Sequence, residues 1–212
     1  MMKKNNNNDI LDLSITSLLF AVELVDDYTN QKPIGPTNII TLNPLDSKPF
    51  LNKSGFWVFL KSNNDLLNYE PAKTIKINST YYFDVIKKIT LDNFDDPKNP
   101  VITIRLIPKP VYPFSNNITL IRGLITDFNK KPIKDTKITV SNTHIKTTTT
   151  EKGEFVLYFA YPHKLISEEN FINHNTVDIM LKVLHSNFKE KNFSISIKPS
   201  KVVSSTITME NL

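Results

Sequence analysis

The chain contains no cysteine. Disulfides, thiolate metal sites and thiol nucleophiles are excluded with it. Glycine is nearly as scarce, four residues in 212 against thirteen prolines. Where a glycine does stand, its backbone freedom is expected to be in use. No apolar run approaches the ~18 residues that a membrane-crossing helix needs. The opening Met-Met-Lys-Lys-Asn-Asn-Asn-Asn leads into Asp9 and Asp12, where the apolar region of a signal peptide would begin. Glu23, Asp26 and Asp27 follow where its cleavage site would be. The expectation is a chain made in the cytoplasm and left unprocessed, with a disordered tail over 1–9 and no membrane partner.

Catalytic signatures are equally thin. There is no Gly-x-Ser-x-Gly elbow and no glycine-rich phosphate loop. The histidines, His144, His163, His174 and His185, stand 11 or more residues apart on different segments, unlike metal ligands at i, i+2 or i, i+4. Asp92, Asp95 and Asp96 lack the loop pattern of a calcium site and read as a solvated turn, as do Asp26 and Asp27. No catalytic residue, metal or cofactor is expected, and the chain is not read as an enzyme. The net charge of +5 is spread singly, +1 over residues 1–113 and +4 over 114–212. No basic run is interleaved with aromatics, so no nucleic-acid partner is expected.

What is present is alternation. The composition, 40% apolar and 22% charged, is that of an ordinary globular protein. A length of 212 residues suits two β-sandwiches of ~100 residues each. Leu18, Phe20, Val22 and Leu24 alternate with Leu19, Ala21 and Glu23, and the inward face changes near Ser17, which suggests a bulge. A helical stripe at 11, 15, 18, 19 and 22 competes with this strand reading. Lys137–Ser141 and His144–Thr148 read as a hairpin turning at Asn142-Thr143. Phe155, Leu157 and Phe159 share one face of the next strand. Short helices fit 63–69 and 163–172.

The chain also repeats itself. VELVDDYTNQKPI at 22–34 parallels IRGLITDFNKKPI at 121–133. Asp27 matches Asp127 after a one-residue slip, Pro33 matches Pro132, and the parallel tips the reading near residue 20 toward strand. A glycine and an apolar strand follow, at Gly55 after 22 residues and at Gly153 after 21. Ile75–Tyr81 parallels Leu181–Phe188, and each half closes on an alternating strand, Val101–Leu106 and Val203–Met209. Prolines 108, 110 and 113 make a stiff link between the halves. The expected organisation is a first sandwich at 10–107, a linker at 108–117 and a second sandwich at 118–212, with about seven strands in each.

From Gly123 to Phe159 the sequence resembles the carboxypeptidase regulatory-like domain. The carrying residues are Gly123-Leu-Ile-Thr-Asp127, Pro132-Ile133, Ile138-Thr-Val140 and Thr149-Thr-Glu-Lys-Gly153-Glu-Phe155. Asn129-Lys130 and Glu151 depart from the family pattern, and the first half lacks the opening glycine. The resemblance implies tandem transthyretin-like (prealbumin-like) or immunoglobulin-like sandwiches, with Asp27, Pro33, Gly55, Asp127, Pro132 and Gly153 as turn residues. Such modules are non-catalytic building blocks. Tandem forms also resemble accessory components of contractile, phage-tail-like particles, which would carry the chain outside the cell. Partners are then other proteins or further copies of the chain.

Trp57 with Phe56, Phe59, Tyr81, Tyr82 and Phe83 makes an aromatic group that reads first as core filling. Stacking on carbohydrate is the alternative, so Trp57, Tyr81, Tyr82 and Tyr112 are candidate ligand or partner contacts. Tyr112 and Phe114 are expected to pack between modules. The readings kept open are a structural or assembly module, an adhesive carbohydrate-binding module, and a regulatory domain serving a separate peptidase.

Overall fold

A computed structural model describes residues 17–42, 48–61, 72–91, 94, 96, 98–159 and 176–212. Among them the chain is all β, with no helix long and apolar enough to cross a membrane. The tail at 1–9, the helices at 63–69 and 163–172, and Asp92, Asp95, His163 and His174 lie outside the described residues.

Among the described residues seven strands fall before residue 107: β1 (Leu18–Asp26), β2 (Thr37–Thr41), β3 (Phe50–Leu51), β4 (Phe56–Leu60), β5 (Ala72–Ser79), β6 (Val85–Thr90) and β7 (Val101–Leu106). Seven follow: β8 (Thr119–Thr126), β9 (Lys137–Val140), β10 (Lys146–Thr148), β11 (Glu154–Phe159), β12 (Val177–His185), β13 (Phe188–Ile197) and β14 (Val202–Thr208). The alternating pattern is the cause. In β1, Phe20, Val22 and Leu24 are buried, and the pairing with β4 is irregular between Leu18 and Phe20, close to where the inward face changes. The hairpin of β9 and β10 turns at Asn142, which takes φ 60°.

The first seven strands form the sheets β3-β4-β1-β7 and β2-β5-β6; the second seven form β10-β9-β12-β13 and β11-β8-β14. Aligned by order, first, fourth and seventh strands share one sheet in each set, and second, fifth and sixth the other. Only the third strand differs: β3 lies beside β4, whereas β10 lies beside β9.

In the second set both sheets contribute to one core. Ile121, Ile125, Phe155, Leu157 and Ile207 come from one sheet, and Ile138, Val140, Leu181, Val183 and Ile197 from the other. That shared core makes the pair of sheets a sandwich. In the first set Phe20 stacks on Phe59 with ring centroids 4.2 Å apart, and Ile39, Ile75 and Ile89 of the second sheet are buried. The chain divides into two compact units: one holds Met1–Glu23, Ile39–Lys76 and Ile86–Thr103, the other Leu24–Asn38, Ile77–Val85 and Ile104–Leu212.

The turn residues explain the local geometry. Gly55 and Gly153 both take positive φ, 92° and 70°. Each donates its N–H three residues back, to Asn52 O and Thr150 O. The side chains of Asn52 and Thr150 accept the N–H of the residue after the glycine, Phe56 and Glu154. In the second half Asp127 accepts the N–H groups of Asn129 and Lys131, at 2.9 and 2.8 Å, and Lys130 takes φ 62°. In the first half the matching turn is built on Asp26, one residue before Asp27. Asp26 accepts the N–H of Tyr28 at 2.8 Å, its carbonyl accepts the N–H of Asn30, and Asn30 takes φ 57°. The first turn holds one extra residue, which corrects the alignment of Asp27 with Asp127. Pro33 is half-buried, and exposed Pro132 bridges to Thr126.

Candidate functional site

The densest chemistry lies within the second unit, around Asp26 and Asp27. Strand parity explains why. Phe20, Val22, Leu24 and Asp26 share the inward face of β1, so the carboxylate of Asp26 is fully buried. A charge so placed requires partners, and it has them. Its Oδ2 accepts the hydroxyls of Tyr82 at 2.9 Å and Tyr112 at 2.5 Å. Its Oδ1 accepts the N–H groups of Tyr28 and Thr29, at 2.8 and 3.4 Å. The Tyr82 hydroxyl in turn accepts the Ile34 N–H at 3.0 Å. Three stretches remote in sequence, around residues 26–34, 82 and 112, are thus tied to one carboxylate.

Asp27 faces the other way. It accepts the Tyr158 hydroxyl at 2.5 Å and lies 3.8 Å from Arg105, which donates to Asn30 at 2.6 Å. Rings fill the space between. Tyr28 meets Tyr112, Phe114 and Tyr158 edge-on, with centroids 5.8, 5.2 and 5.5 Å apart. The Tyr28 hydroxyl bonds Ser115 at 2.9 Å. The Arg122 guanidinium sits 5.7 Å from the Phe114 centroid and bonds the Pro110 carbonyl. Such contacts favour the edge-on and cation-over-ring geometries that aromatic quadrupoles prefer.

Burial pushes the Tyr82 hydroxyl up to about 12, with Asp26 adding to the effect and the Ile34 N–H opposing it. Burial, reinforced by Asp26, also raises Tyr112; burial, reinforced by Asp27, raises Tyr158. The three phenols therefore keep their protons at neutral pH and donate them to carboxylates. The arrangement holds backbone segments in place.

Tyr82 and Tyr112, candidate ligand or partner contacts in the sequence, are buried and belong to this cluster. Tyr112 and Phe114 pack on Tyr28. Trp57 is half-buried on β4, and half-buried Tyr81 covers Gly35, where a Cβ would meet its ring at 2.6 Å. His144 is exposed, while His185 packs on Phe188 and accepts the Asn187 N–H. Among the described residues no three of His, Asp and Glu come together as metal ligands. A cleft of about 560 Å³, also in the second unit, is lined by Asp84, Lys109, Asp135 and Glu151 among others. Of its carboxylates, Asp84 lies 3.5 Å from Lys109 and Glu151 lies 3.3 Å from Lys134.

The sequence missed Asp26, Tyr28 and Tyr158. Parity along β1 was the available signal: a carboxylate in phase with Phe20, Val22 and Leu24 has to be buried.

No protein-family model matches the chain, and no curated protein matches it in sequence. Among solved structures it is similar to the TIE protein of Bacillus anthracis, at 11% identity and a TM-score of 0.33, covering 91% of this chain and 34% of that one. The chain thus spans about a third of that protein. It is also similar to a Streptococcal ancillary pilin, at 10% identity and TM-score 0.33, covering 93% and 69% of the two chains. GBS52, the minor pilin of the gram-positive pathogen Streptococcus agalactiae, gives 12% identity and TM-score 0.31, covering 92% and 97%. Likenesses this low carry neither family nor function. The fold stands on the strands themselves: among the described residues, two sets of seven strands, each folded into two sheets as a β-sandwich.

Proposed function

We propose that the chain is a non-catalytic structural module that works by binding other proteins. The observation that carries this reading is the use made of the Asp26 cluster. Its carboxylate and both buried phenols are engaged in joining backbone segments up to 86 residues apart. That is the wiring of a part whose shape is its task.

The module is further read as a tandem duplication, 10–107 and 118–212 joined by 108–117. Support comes from the matching strand order, the paired glycine turns at Gly55 and Gly153, and the paired aspartate turns at Asp26 and Asp127. After the last strand of each half, the chain also bridges back near the start of the sixth, Pro108 to Tyr82, three residues before it, and Asn211 to Phe188, its first residue. The resemblance to the carboxypeptidase regulatory-like domain rests on the motif residues from Gly123 to Phe155. In its narrowest form the reading is an accessory component of a contractile, phage-tail-like particle.

The test is purification of the tagged protein from its native host after cross-linking, followed by mass spectrometry. Structural subunits of an assembly are the expected companions. Sheath, tube or baseplate-like proteins would narrow the assembly to a contractile particle; fibre subunits would narrow it to a surface structure. Recovery of the chain with no other protein overturns the reading.

A further inference from the structure

We propose that the free edge of β14 is a self-association site, where two copies join their β11-β8-β14 sheets in antiparallel register about a two-fold axis at Ser204. This deepens the assembly reading, and rests on it, by naming a second copy of the chain as a partner.

The direction of the backbone groups follows from the parallel pairing of β14 with β8, Val203 opposite Ile121 and Ser205 opposite Gly123. Lys201 O accepts the Leu120 N–H at 3.0 Å, and the Met209 N–H donates to Thr126 O at 2.8 Å. In a parallel ladder alternate residues turn both backbone groups to the same neighbour. Residues 201, 203, 205, 207 and 209 therefore face β8. Val202, Ser204, Thr206 and Thr208 face away. Lys191 Nζ donates to the carbonyl of Thr208 at 2.8 Å. The N–H and C=O groups of Val202, Ser204 and Thr206 have no partner among the described residues.

Edges of this kind are ordinarily guarded by charge, proline, a bulge or shortness. Four other edges, those of β13, β6, β3 and β10, carry such guards. β13 opens with Lys189, Glu190 and Lys191, and its start is paired by the Phe188–Asn211 bridge. β6 carries Lys87 and Lys88, and β3 and β10 are two and three residues long. β14 reads VVSSTIT, uncharged and without proline, with Val202 56% exposed.

The open set is self-complementary. A two-fold axis at Ser204 sets Ser204 opposite Ser204 and Val202 opposite Thr206, twice. Each facing pair can exchange two backbone hydrogen bonds, and the Val202 side chain meets the Thr206 methyl across the strands. No like charges are brought together along the edge, as the lysines of β6 would be. The joined sheet would have six strands, an ordinary size.

Sedimentation velocity on the purified full chain, from micromolar to millimolar, tests this. The wild type is expected to pass from one-chain to two-chain mass as concentration rises. Ser204→Pro removes an N–H that faces outward, where edge strands tolerate proline. It should keep the far-ultraviolet circular dichroism and Tm and lose the two-chain species. Ser204→Lys sets like charges directly opposite each other on the axis and should weaken association by about tenfold or more; it stands as the test if the proline variant misfolds. A wild type that stays at one-chain mass overturns the proposal, as does association unchanged by both substitutions. A one-chain protein that still captures host partners would lose this inference and keep the assembly reading.

Discussion

In the first half, the turn Asn52-Lys53-Ser54-Gly55 joins two strands that pair with each other; in the second, Thr150-Glu151-Lys152-Gly153 joins two strands in different sheets. The turns share their hydrogen bonds and their left-handed glycine. What separates the outcomes is one residue earlier. Thr149 donates its hydroxyl to Ile133 O at 2.7 Å and accepts the Thr136 N–H at 2.9 Å, while its own N–H donates to Thr136 O. This clamp draws Lys146–Thr148 alongside β9. Leu51 stands at the equivalent place, four residues before Gly55. It has no hydroxyl, and β3 stays with β4. A turn sets the local bend; sheet membership is decided by the groups flanking it.

The aspartate turns make the same contrast more sharply, because Asp26 is buried with two phenols and Asp127 serves only its own loop. Asp26→Ala should destabilise the protein by about 3 kcal/mol, since it takes the carboxylate acceptor from two buried hydroxyls. Asp127→Ala should cost about 1 kcal/mol. Urea midpoints read both, and equal losses would show that the buried cluster adds nothing to the shared turn. The same cluster makes stability fall in alkali. The folded protein holds the Tyr82 proton up to about 12, against 10.0 when free. The stabilisation is complete below the unfolded value and is lost as pH rises through the folded one. Urea midpoints should therefore drop from about pH 10 to pH 12, and Tyr82→Phe should flatten that part of the drop.

The glycines come next. Gly153→Ala should cost about 2 kcal/mol, because its φ is 70° and a Cβ would lie 2.5 Å from the Ile125 carbonyl. Gly55→Ala should cost about 1 kcal/mol through the strain of its φ of 92°. Thermal unfolding of the two variants ranks them. Thr149→Val should cost about 1–2 kcal/mol by removing the clamp on Ile133 and Thr136. If it costs nothing, the account of the strand switch is wrong. Smallest is Arg105→Ala: an exposed pair 3.8 Å from Asp27 should change stability by no more than about 0.5 kcal/mol.

These contrasts mark how far the sequence could be read. Strands were legible because alternation is local, as in Phe20-Ala21-Val22-Glu23-Leu24, and the turns at Gly55 and Gly153 because glycine is so scarce that each one stands out. The switch of the third strand was not legible, since a hydroxyl clamp between Thr149 and Ile133 has no periodic signature. The site was harder still. Asp26, Tyr82, Tyr112 and Tyr158 belong to four separate segments, and an extra residue in the first turn concealed that Asp26 is the partner of Asp127. Only the parity of β1 pointed to a buried carboxylate, and it had to be weighed against a DD pair that looks like any solvated turn.

One further property follows from the way the second sandwich closes. Its first and last strands, β8 and β14, lie side by side and parallel over seven facing pairs, from Val202 and Leu120 to Thr208 and Thr126. Tension applied where the chain enters β8 and leaves β14 pulls the two strands in opposite directions along their length. Every rung of the ladder then carries load at once, where an antiparallel hairpin pulled at its open end would yield one rung at a time. Under a stretching force this half resists by shear, a mechanical strength set by topology and independent of how stable the sandwich is at rest.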